Sequence, residues 1–199
     1  MAKYNGPKDR ISRRESFDLY GKGAKLTRLL VPPGVHGVKG YTKTSQYGLQ
    51  LREKQKVKRM YGLMEKQFKK VYDEATRSKG NTGEKLIVLL EKRLDNVIYR
   101  LGFAPTRPSA RQLVSHKFVT VNGIITNIPS YRVKVGDTVS ISTRASDTPS
   151  VKKAMSNKDH NLPTWLKKKA LIGKIEREPA REDVLEPITQ QYIIEFYSR

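Results

Sequence analysis

Few residues of this chain combine the types and the spacing that catalysis needs. The sequence contains no cysteine, which excludes thiolate nucleophiles, disulfides and thiolate metal sites. Ser115 and His116 are adjacent instead of facing each other, and no third residue is placed to orient the histidine. There is no glycine-rich loop of the Walker type, and His160 is predicted to lie in a loop. We therefore expect no nucleophilic catalysis, no metal and no cofactor.

One tripeptide does suggest an enzyme. RLD at 93–95 is similar to the aspartate-containing sequence of pseudouridine synthases, which modify RNA. On a helical projection, however, Asp95 lies mid-helix on the face opposite Leu86 and Val97, so we expect it to be solvated and without a pocket. No other segment is large enough to form a second catalytic domain. We predict that Asp95 is scaffold and that the protein is not an enzyme.

The composition favours a different chemistry, the binding of phosphate. The 199 residues include 40 Lys and Arg against 19 Asp and Glu, a formal net charge of +21. An excess of this size opposes folding by self-repulsion and is typical of proteins with a polyanionic partner. Nucleic acid fits better than a membrane because the chain has no long apolar run, signal peptide or lipidation motif, and we expect a cytoplasmic protein. A nucleoid-type DNA-binding protein is the alternative, although no recognition-helix motif is evident.

Candidate RNA-binding residues cluster in three parts of the chain. Between residues 52 and 59, five cations at helical spacing have only Glu53 against them, and nearby phosphates would explain such a cluster. Arg107, Arg111 and Ser115 share one stripe of a predicted helix, while the basic N-terminal stretch contains aromatic residues that can stack on bases. Each cluster has an ordinary alternative as a solvated surface. The candidate set is Arg10, Arg13, Arg14, His36, Arg52, Lys54, Lys56, Lys58, Arg59, Arg93, Arg100, Arg107, Arg111, Gln112, Ser115, His116, Lys117 and Asn122.

Residues 81–150 are predicted to form a small α+β module that positions many of these candidates. Asn81 opens a capping pair, and apolar residues at spacings of three and four then mark one face of a helix that ends at Gly102. Thr106 is placed to cap a second, shorter helix that tolerates Pro108 in its first turn. The module is thus expected to begin with two helices.

The rest of the module is predicted to be an antiparallel sheet. FVTV and IIT flank Asn122-Gly123, a strong signal for a two-residue hairpin. The alternating YRVKV at 131–135 and the TVSI at 138–141 predict two further strands, separated by a turn at Gly136. Two helices followed by a small, twisted, mostly antiparallel sheet make a compact α+β fold.

Apolar spacing predicts a mainly helical domain around this module. Ser45 is placed to cap a helix, and the apolar ladder that follows is interrupted at Gly62, where two helices are expected to meet. The final YIIEFY is too apolar to remain in water and is expected to pack on these helices, which makes the module an insertion. Trp165 is expected to anchor to a neighbouring domain, and KKK at 167–169 is a second phosphate candidate. We predict an extended basic arm at 1–44, a helical domain at 45–80 and 176–199, the module at 81–150, and a connecting segment at 151–175.

Several long motifs, in order along the chain, resemble those of the bacterial small-subunit ribosomal protein S-four family. They include YNGP, SRRE, PGVHG, YGLQLREKQKVKRMYG, KGNTGE, RLDNVIYRLGF, TRPSARQLVSHK, VNG, IPSYRVKVGD, PTW and IIEFYSR. The match covers essentially the whole length. The resemblance implies a mainly helical domain with an inserted RNA-binding module, in agreement with the division above.

The resemblance also implies a role. It implies a structural protein that binds ribosomal RNA first, at a multi-helix junction of the five-prime domain, and so nucleates assembly of the small subunit. Implied partners are the neighbouring small-subunit proteins three and five, with messenger RNA near the entry channel and a contribution to translational accuracy. Many family members bind zinc through four cysteines near the N-terminus. This chain has none, and His36 is the one histidine of its arm, so it resembles the zinc-free branch.

Overall fold

The computed structural model describes residues 4–23, 26–39, 43–156 and 161–198, so His160 lies outside the described residues. The chain forms two compact units, one containing residues 1–83 and 187–199 and the other residues 84–186. Within the described residues the helices are α1 (Lys8–Arg14), α2 (Gln46–Met60), α3 (Glu65–Arg77), α4 (Thr82–Glu91), α5 (Leu94–Arg100), α6 (Arg107–Ser115), α7 (Thr143–Ser146), α8 (Pro149–Ser156) and α9 (Gln190–Tyr197). The strands are β1 (Val119–Val121), β2 (Ile124–Ile125), β3 (Thr138–Ile141), β4 (Leu166–Lys169) and β5 (Ile172–Ile175). None of the described helices is long and apolar enough to cross a membrane.

The first unit is helical, as its apolar spacing predicts. The Ser45 hydroxyl accepts a hydrogen bond from the Gly48 N–H at 3.2 Å, which caps α2. The predicted break near Gly62 is confirmed: α2 ends at Met60, α3 begins at Glu65, and Gly62 has φ +64°, a conformation that favours glycine.

The C-terminal helix completes this unit. Gln50 on α2 donates a hydrogen bond to the Glu195 carboxylate at 2.7 Å, and the ring centroids of Tyr72 and Tyr197 are 4.5 Å apart. The buried Ile193 adds apolar surface. The predicted packing of the chain end on the helices of 45–78 is therefore confirmed.

The predicted extended arm is wrong for the described part of residues 1–44. This segment contains α1 and a 3-10 helix at Val35–Lys39, and it buries Ile11, Leu19 and Leu26. Arg13 donates hydrogen bonds to the carbonyls of Val31 and Pro32, at 2.9 and 3.1 Å, which closes the loop between them. A few scattered apolar residues suffice here because polar contacts hold the turns.

The single long helix predicted after Asn81 is wrong as well. The Asn81 side chain accepts from the Gly83 N–H at 2.9 Å, as its capping role predicts, but α4 ends at Glu91 and α5 begins at Leu94. Between them Arg93 is extended and forms an antiparallel bridge with Arg132. This bridge is all that forms of the strand predicted at 131–135, so one pairing between distant parts of the chain accounts for both differences.

The five strands form one antiparallel sheet in the order β2-β1-β3-β5-β4. The predicted hairpin is confirmed, since Val121 pairs with Ile124 across Asn122-Gly123, both of which have positive φ. The inner face of the sheet packs with α5 and α6 in a single apolar core. A Cβ on Gly173 of β5 would lie 2.4 Å from Leu101 Cδ1, so glycine permits this close packing.

The boundaries between the units differ from the predicted ones. Strands β4 and β5 lie in the predicted connecting segment 151–175, yet they complete the sheet of the module. Residues 176–186, assigned to the helical domain, also belong to the second unit. Trp165 is fully buried in the core of its own unit instead of anchoring to another. The cause is long-range strand pairing: β3 needs a partner on its second edge, and β5 supplies it. The predicted α+β class is confirmed.

Candidate RNA-binding surface

The end of α6 presents several of the predicted contacts to solvent. The Thr106 side chain caps the helix by accepting from the Ser109 N–H at 3.3 Å, and the buried Ala110, Leu113 and Val114 fix which face turns inward. The predicted residues on the outer side are exposed: Gln112, Ser115, His116 and Lys117. The cation, the imidazole and the amide can donate to phosphate or sugar oxygens. The Ser115 hydroxyl donates to the Arg111 carbonyl at 2.9 Å and can still accept a hydrogen bond.

The turn after α6 holds Lys117 in an unusual backbone conformation. Lys117 has φ +63°, and its N–H donates to the Val114 carbonyl at 3.0 Å while the Phe118 N–H donates to the Leu113 carbonyl at 3.1 Å. This is the Schellman pattern, in which glycine usually occupies the left-handed position. A lysine at this position costs conformational energy, which favours a functional reason for its side chain.

Asn122 is exposed, but its amide is already engaged. Its nitrogen donates to the Asp137 carboxylate at 2.8 Å, and its oxygen accepts from the Thr138 N–H at 2.9 Å. These bonds fasten the β1–β2 hairpin to the start of β3. The sequence identifies Asn122 as a turn residue, whereas its partners lie fifteen and sixteen residues away.

Beneath α6 lies a buried ion-pair network, and it corrects the prediction for Asp95. Asp95 lies in the first turn of α5 and is only 4% exposed, so it is neither mid-helix nor solvated. It accepts two hydrogen bonds from Arg93, at 3.1 and 2.7 Å, and lies 3.6 Å from Arg111. A carboxylate held in this way by arginine side chains is scaffold.

A second part of the network joins α4, α5 and α6. The buried Glu91 accepts from Arg100 at 3.0 and 2.8 Å and from Asn96 at 2.8 Å. Glu186 accepts from Arg100 at 2.8 Å and from Arg107 at 2.7 Å, and Arg107 also donates to the Asn96 side-chain oxygen at 2.9 Å. These contacts fix the start of α6 against α5.

The charge of Glu186 is strongly stabilised. Burial, the largest effect, raises the pKa of its carboxyl, but the charges and hydrogen bonds of Arg107 and Arg100 outweigh burial and hold the pKa at about 2. The two arginines therefore face an anion at neutral pH. Arg93 and Arg100, both predicted to contact RNA, are 6% exposed and lie in this network.

In the first unit, the cationic cluster of α2 is largely paired. The pairs are Arg52 and Arg59 with Glu15, Lys54 and Lys58 with Glu65, and Lys56 with Glu53. Their nitrogen–oxygen distances are 2.7–3.3 Å for the four pairs other than Arg59–Glu15. Five cations thus share three carboxylates, and the side chain of Lys54 is only 5% exposed. The sequence alone identifies Glu53 as a counter-charge to these cations. It does not identify Glu15 and Glu65, because no local signal links them to α2.

The pKa of Glu65 reflects this pairing. Burial, the largest effect, raises it, yet hydrogen bonds from Lys54, Lys58 and Tyr197 together lower it to about 2. Burial also raises the pKa of Glu15 above its usual value, although Arg52 and Arg59 oppose this. The carboxylates are therefore part of the helical unit's frame.

The remaining candidates of the N-terminal segment are accessible. Arg10, Arg14 and His36 are exposed, whereas Arg13 closes the loop at Val31 as described above. Across the described parts of the chain, no group of three or more His, Asp or Glu side chains is arranged to hold a metal ion.

The matches to family models place the chain in a class, the RNA-binding proteins built on an S4 domain. Residues 92–139 match the S4 domain family, and residues 3–91 match the ribosomal protein S4/S9 N-terminal domain. Small ribosomal subunit protein uS4 of Burkholderia thailandensis is 49% identical over 207 aligned residues, with all of both chains covered. The corresponding proteins of Burkholderia pseudomallei and Burkholderia ambifaria are 49% and 48% identical over the same coverage.

The chain therefore belongs to the uS4 family of small ribosomal subunit proteins. It is a structural, RNA-binding component of the small ribosomal subunit and not an enzyme. The resemblance noted in the sequence is confirmed.

Proposed function

We propose that this chain is a primary binder of small-subunit ribosomal RNA that grips a multi-helix junction of the five-prime domain and so nucleates assembly. One observation carries the proposal: the exposed Gln112, Ser115, His116 and Lys117 lie at the end of α6, and buried ion pairs already fix α6 against α5. A surface that is ordered before RNA arrives loses little conformational freedom on binding. Such a surface suits a protein that must bind RNA before its neighbours do.

The end of α6 supplies both affinity and selectivity in this proposal. Lys117 and His116 lie beside phosphates, where cations release condensed counterions and make binding salt-dependent. Gln112 donates to phosphate, ribose or base-edge oxygens, and the Ser115 hydroxyl, which donates to the Arg111 carbonyl, accepts from ribose hydroxyl or base amino groups. Because folded RNA is recognised mainly by shape, the fixed spacing of these donors selects the RNA.

The helical unit contributes further contacts. Arg10, Arg14 and His36 are exposed, and the Arg52 side chain is 39% exposed despite its pairing with Glu15. A guanidinium has five N–H donors, so Arg52 can hold a carboxylate and a phosphate together. The surplus of cations over carboxylates on α2 leaves this surface attractive to a polyanion.

Three of the predicted contacts receive a different role. Lys54, Arg93 and Arg100 are buried and ion-paired, so we propose that they position the exposed residues without touching RNA. Removing one partner of a buried pair leaves an uncompensated charge and destabilises the fold.

Contacts with small-subunit proteins three and five, proximity to messenger RNA at the entry channel and a contribution to accuracy are part of the same proposal. The support is a partly apolar surface on the helical unit. Tyr47 and Leu49 of α2 are exposed, and the Tyr47 ring lies 5.7 Å from that of Phe196 on α9. Exposed aromatic residues are enriched where proteins meet.

The test measures binding of the full chain to a transcript of the isolated five-prime domain. We expect tight, salt-dependent binding without any other ribosomal protein, and a large excess of duplex DNA should displace little of it. If binding required other ribosomal proteins, the chain would not be a primary binder. If duplex DNA displaced the transcript at equal concentration, the DNA-binding alternative would be correct.

A further inference from the structure

The outer face of the second unit's sheet carries a cluster of lysines that the S4 domain match, at 92–139, does not include. Lys167 of β4 pairs directly with Lys174 of β5, and Lys169 pairs with Ile172. Because side chains alternate along a strand, Lys167, Lys169 and Lys174 all lie on the same face. Each of the three is exposed.

The middle lysine of the run lies on the opposite face. Lys168 shares the inner face with the buried Leu166, and its ammonium lies 4.7 Å from the centre of the Phe103 ring. Burial there lowers its pKa. Alternation along β4 thus places Lys168 on the inner face and leaves Lys167 and Lys169 on the outer face.

The outward lysines are poorly neutralised. Lys167 forms an ion pair with Glu176 at 2.6 Å, while Lys169 and Lys174 have no ion pair among the described residues. Like charges directly opposite each other on paired strands destabilise a sheet. A bound anion would remove this repulsion.

The rest of the outer face suits a nucleic-acid backbone. Hydroxyl side chains continue this face on the neighbouring strands. In the strand register, Thr138 and Ser140 of β3 lie next to the outward residues of β5, and Thr120 of β1 lies opposite Ser140. Lysine and hydroxyl side chains are the usual ligands of phosphate oxygens. Protein–protein interfaces, in contrast, are depleted in lysine, which disfavours an acidic protein as the occupant.

We propose that this lysine face (Lys167, Lys169 and Lys174) is a second phosphate-binding surface, which holds an RNA backbone separately from the end of α6. The proposal rests on the RNA binding described under the proposed function. It adds a second RNA segment on the sheet, so the second unit binds RNA both at the end of α6 and on the outer face of its sheet.

The first test replaces Lys169→Gln and Lys174→Gln together in the full chain and measures binding to the five-prime-domain transcript over a range of salt. The slope of log Kobs against log salt is expected to fall by about two, since each lost phosphate contact removes about one. The melting temperature should not fall, because both side chains are exposed and carry like charges.

The matched control is Lys152→Gln with Lys153→Gln on α8, which removes the same charge from exposed positions of the same unit. Its slope should stay close to that of the unmodified chain. If the lysine-face variant kept the full slope, or the control lost as much, the proposal would be overturned. If the unmodified chain itself bound without salt dependence, the proposed function would fail together with it.

The second test locates the RNA. Because the chain has no native cysteine, Ile172→Cys, at a position that is 49% exposed on this face, can carry a single tethered iron chelate. In the complex with RNA alone we expect strand cleavage near the probe, at nucleotides that a Lys153→Cys probe does not cut. A different outcome is that the Ile172→Cys probe cuts no RNA, and that the lysine-face variant binds RNA alone normally but is lost from complete small subunits. That outcome would identify an acidic protein as the occupant and overturn the proposal.

Discussion

At the scale of the residue, the position of a basic residue in the sequence does not determine whether its charge is available to RNA. Arg100 and Lys117 are both basic and both predicted to contact RNA, yet Arg100 lies between two carboxylates while Lys117 is exposed. Spacing along a helix indicates the face on which a cation lies. Helical spacing does not reveal that Arg100 pairs with Glu186, which is 86 residues away in the sequence.

Lys117→Gly separates RNA contact from folding. The change removes a charge and places glycine at a left-handed position, where a side chain costs about 1 kcal/mol. The free energy of unfolding should stay the same or rise, while the salt slope for the five-prime-domain transcript should fall by about one. Denaturant titration and filter binding measure the two quantities. An unchanged slope would remove Lys117 from the interface.

At the scale of the element, the frame of α5 and α6 depends on a titratable group. The folded pKa of Glu186 is about 2, below its ordinary value of 4.5, so ionised Glu186 stabilises the fold above the unfolded pKa. This contribution is lost as the pH falls through the folded pKa. The relevant window is therefore from about pH 5 to pH 2.

Glu186→Gln should lower the free energy of unfolding by up to about 3 kcal/mol at neutral pH, because the charge on Arg100 and Arg107 is then less well balanced. The difference from the unmodified chain should shrink steadily between about pH 5 and pH 2. Denaturant unfolding at several pH values measures it. Glu178→Gln, which breaks an exposed pair with Lys92, is the control and should cost less than about 1 kcal/mol. A pH-independent difference would contradict the assigned role of the charge.

The elements that the sequence predicts are those with local causes. The caps at Ser45, Asn81 and Thr106 act within three residues, and the hairpin at Asn122 needs only its two turn residues. The break between α4 and α5 depends on Arg132, nearly forty residues later, and therefore leaves no local sign.

The same division holds for the candidate surface. The exposed residues of α6 follow from its apolar face, because a helix that buries one side must present the other. The pairing of Arg52 with Glu15 and the addition of β5 to β3 are contacts across the fold, which composition and periodicity do not encode.

At the scale of the whole molecule, the helical unit is built from two distant stretches of chain. Helix α9 covers α2, and the Tyr197 hydroxyl donates to Glu65 at 2.8 Å. Burial, the largest effect, together with the hydrogen bond to Glu65, raises the pKa of Tyr197 well above its ordinary value. The unit therefore needs residues from both of its stretches.

Deletion of residues 192–199 should destabilise the helical unit by several kcal/mol, since it removes the buried Ile193 and the Tyr197 ring from Tyr72. Thermal melting and the protein composition of purified small subunits measure the effect. A chain that ends at Tyr197 is the control and should melt almost normally. Unchanged melting and unchanged subunit composition for the longer deletion would show that α9 is dispensable.

The place of α9 also determines the order of events during synthesis. All of residues 84–186 leave the translating ribosome before α9 does, so the second unit can fold while α2 still lacks the helix that covers it. At roughly 5–20 residues per second, the first 83 residues wait on the order of ten seconds for their partner. During synthesis the second unit thus has its complete sheet while the strongly basic α2 and α3 still lack α9. Prompt release and chaperone protection matter most during that interval.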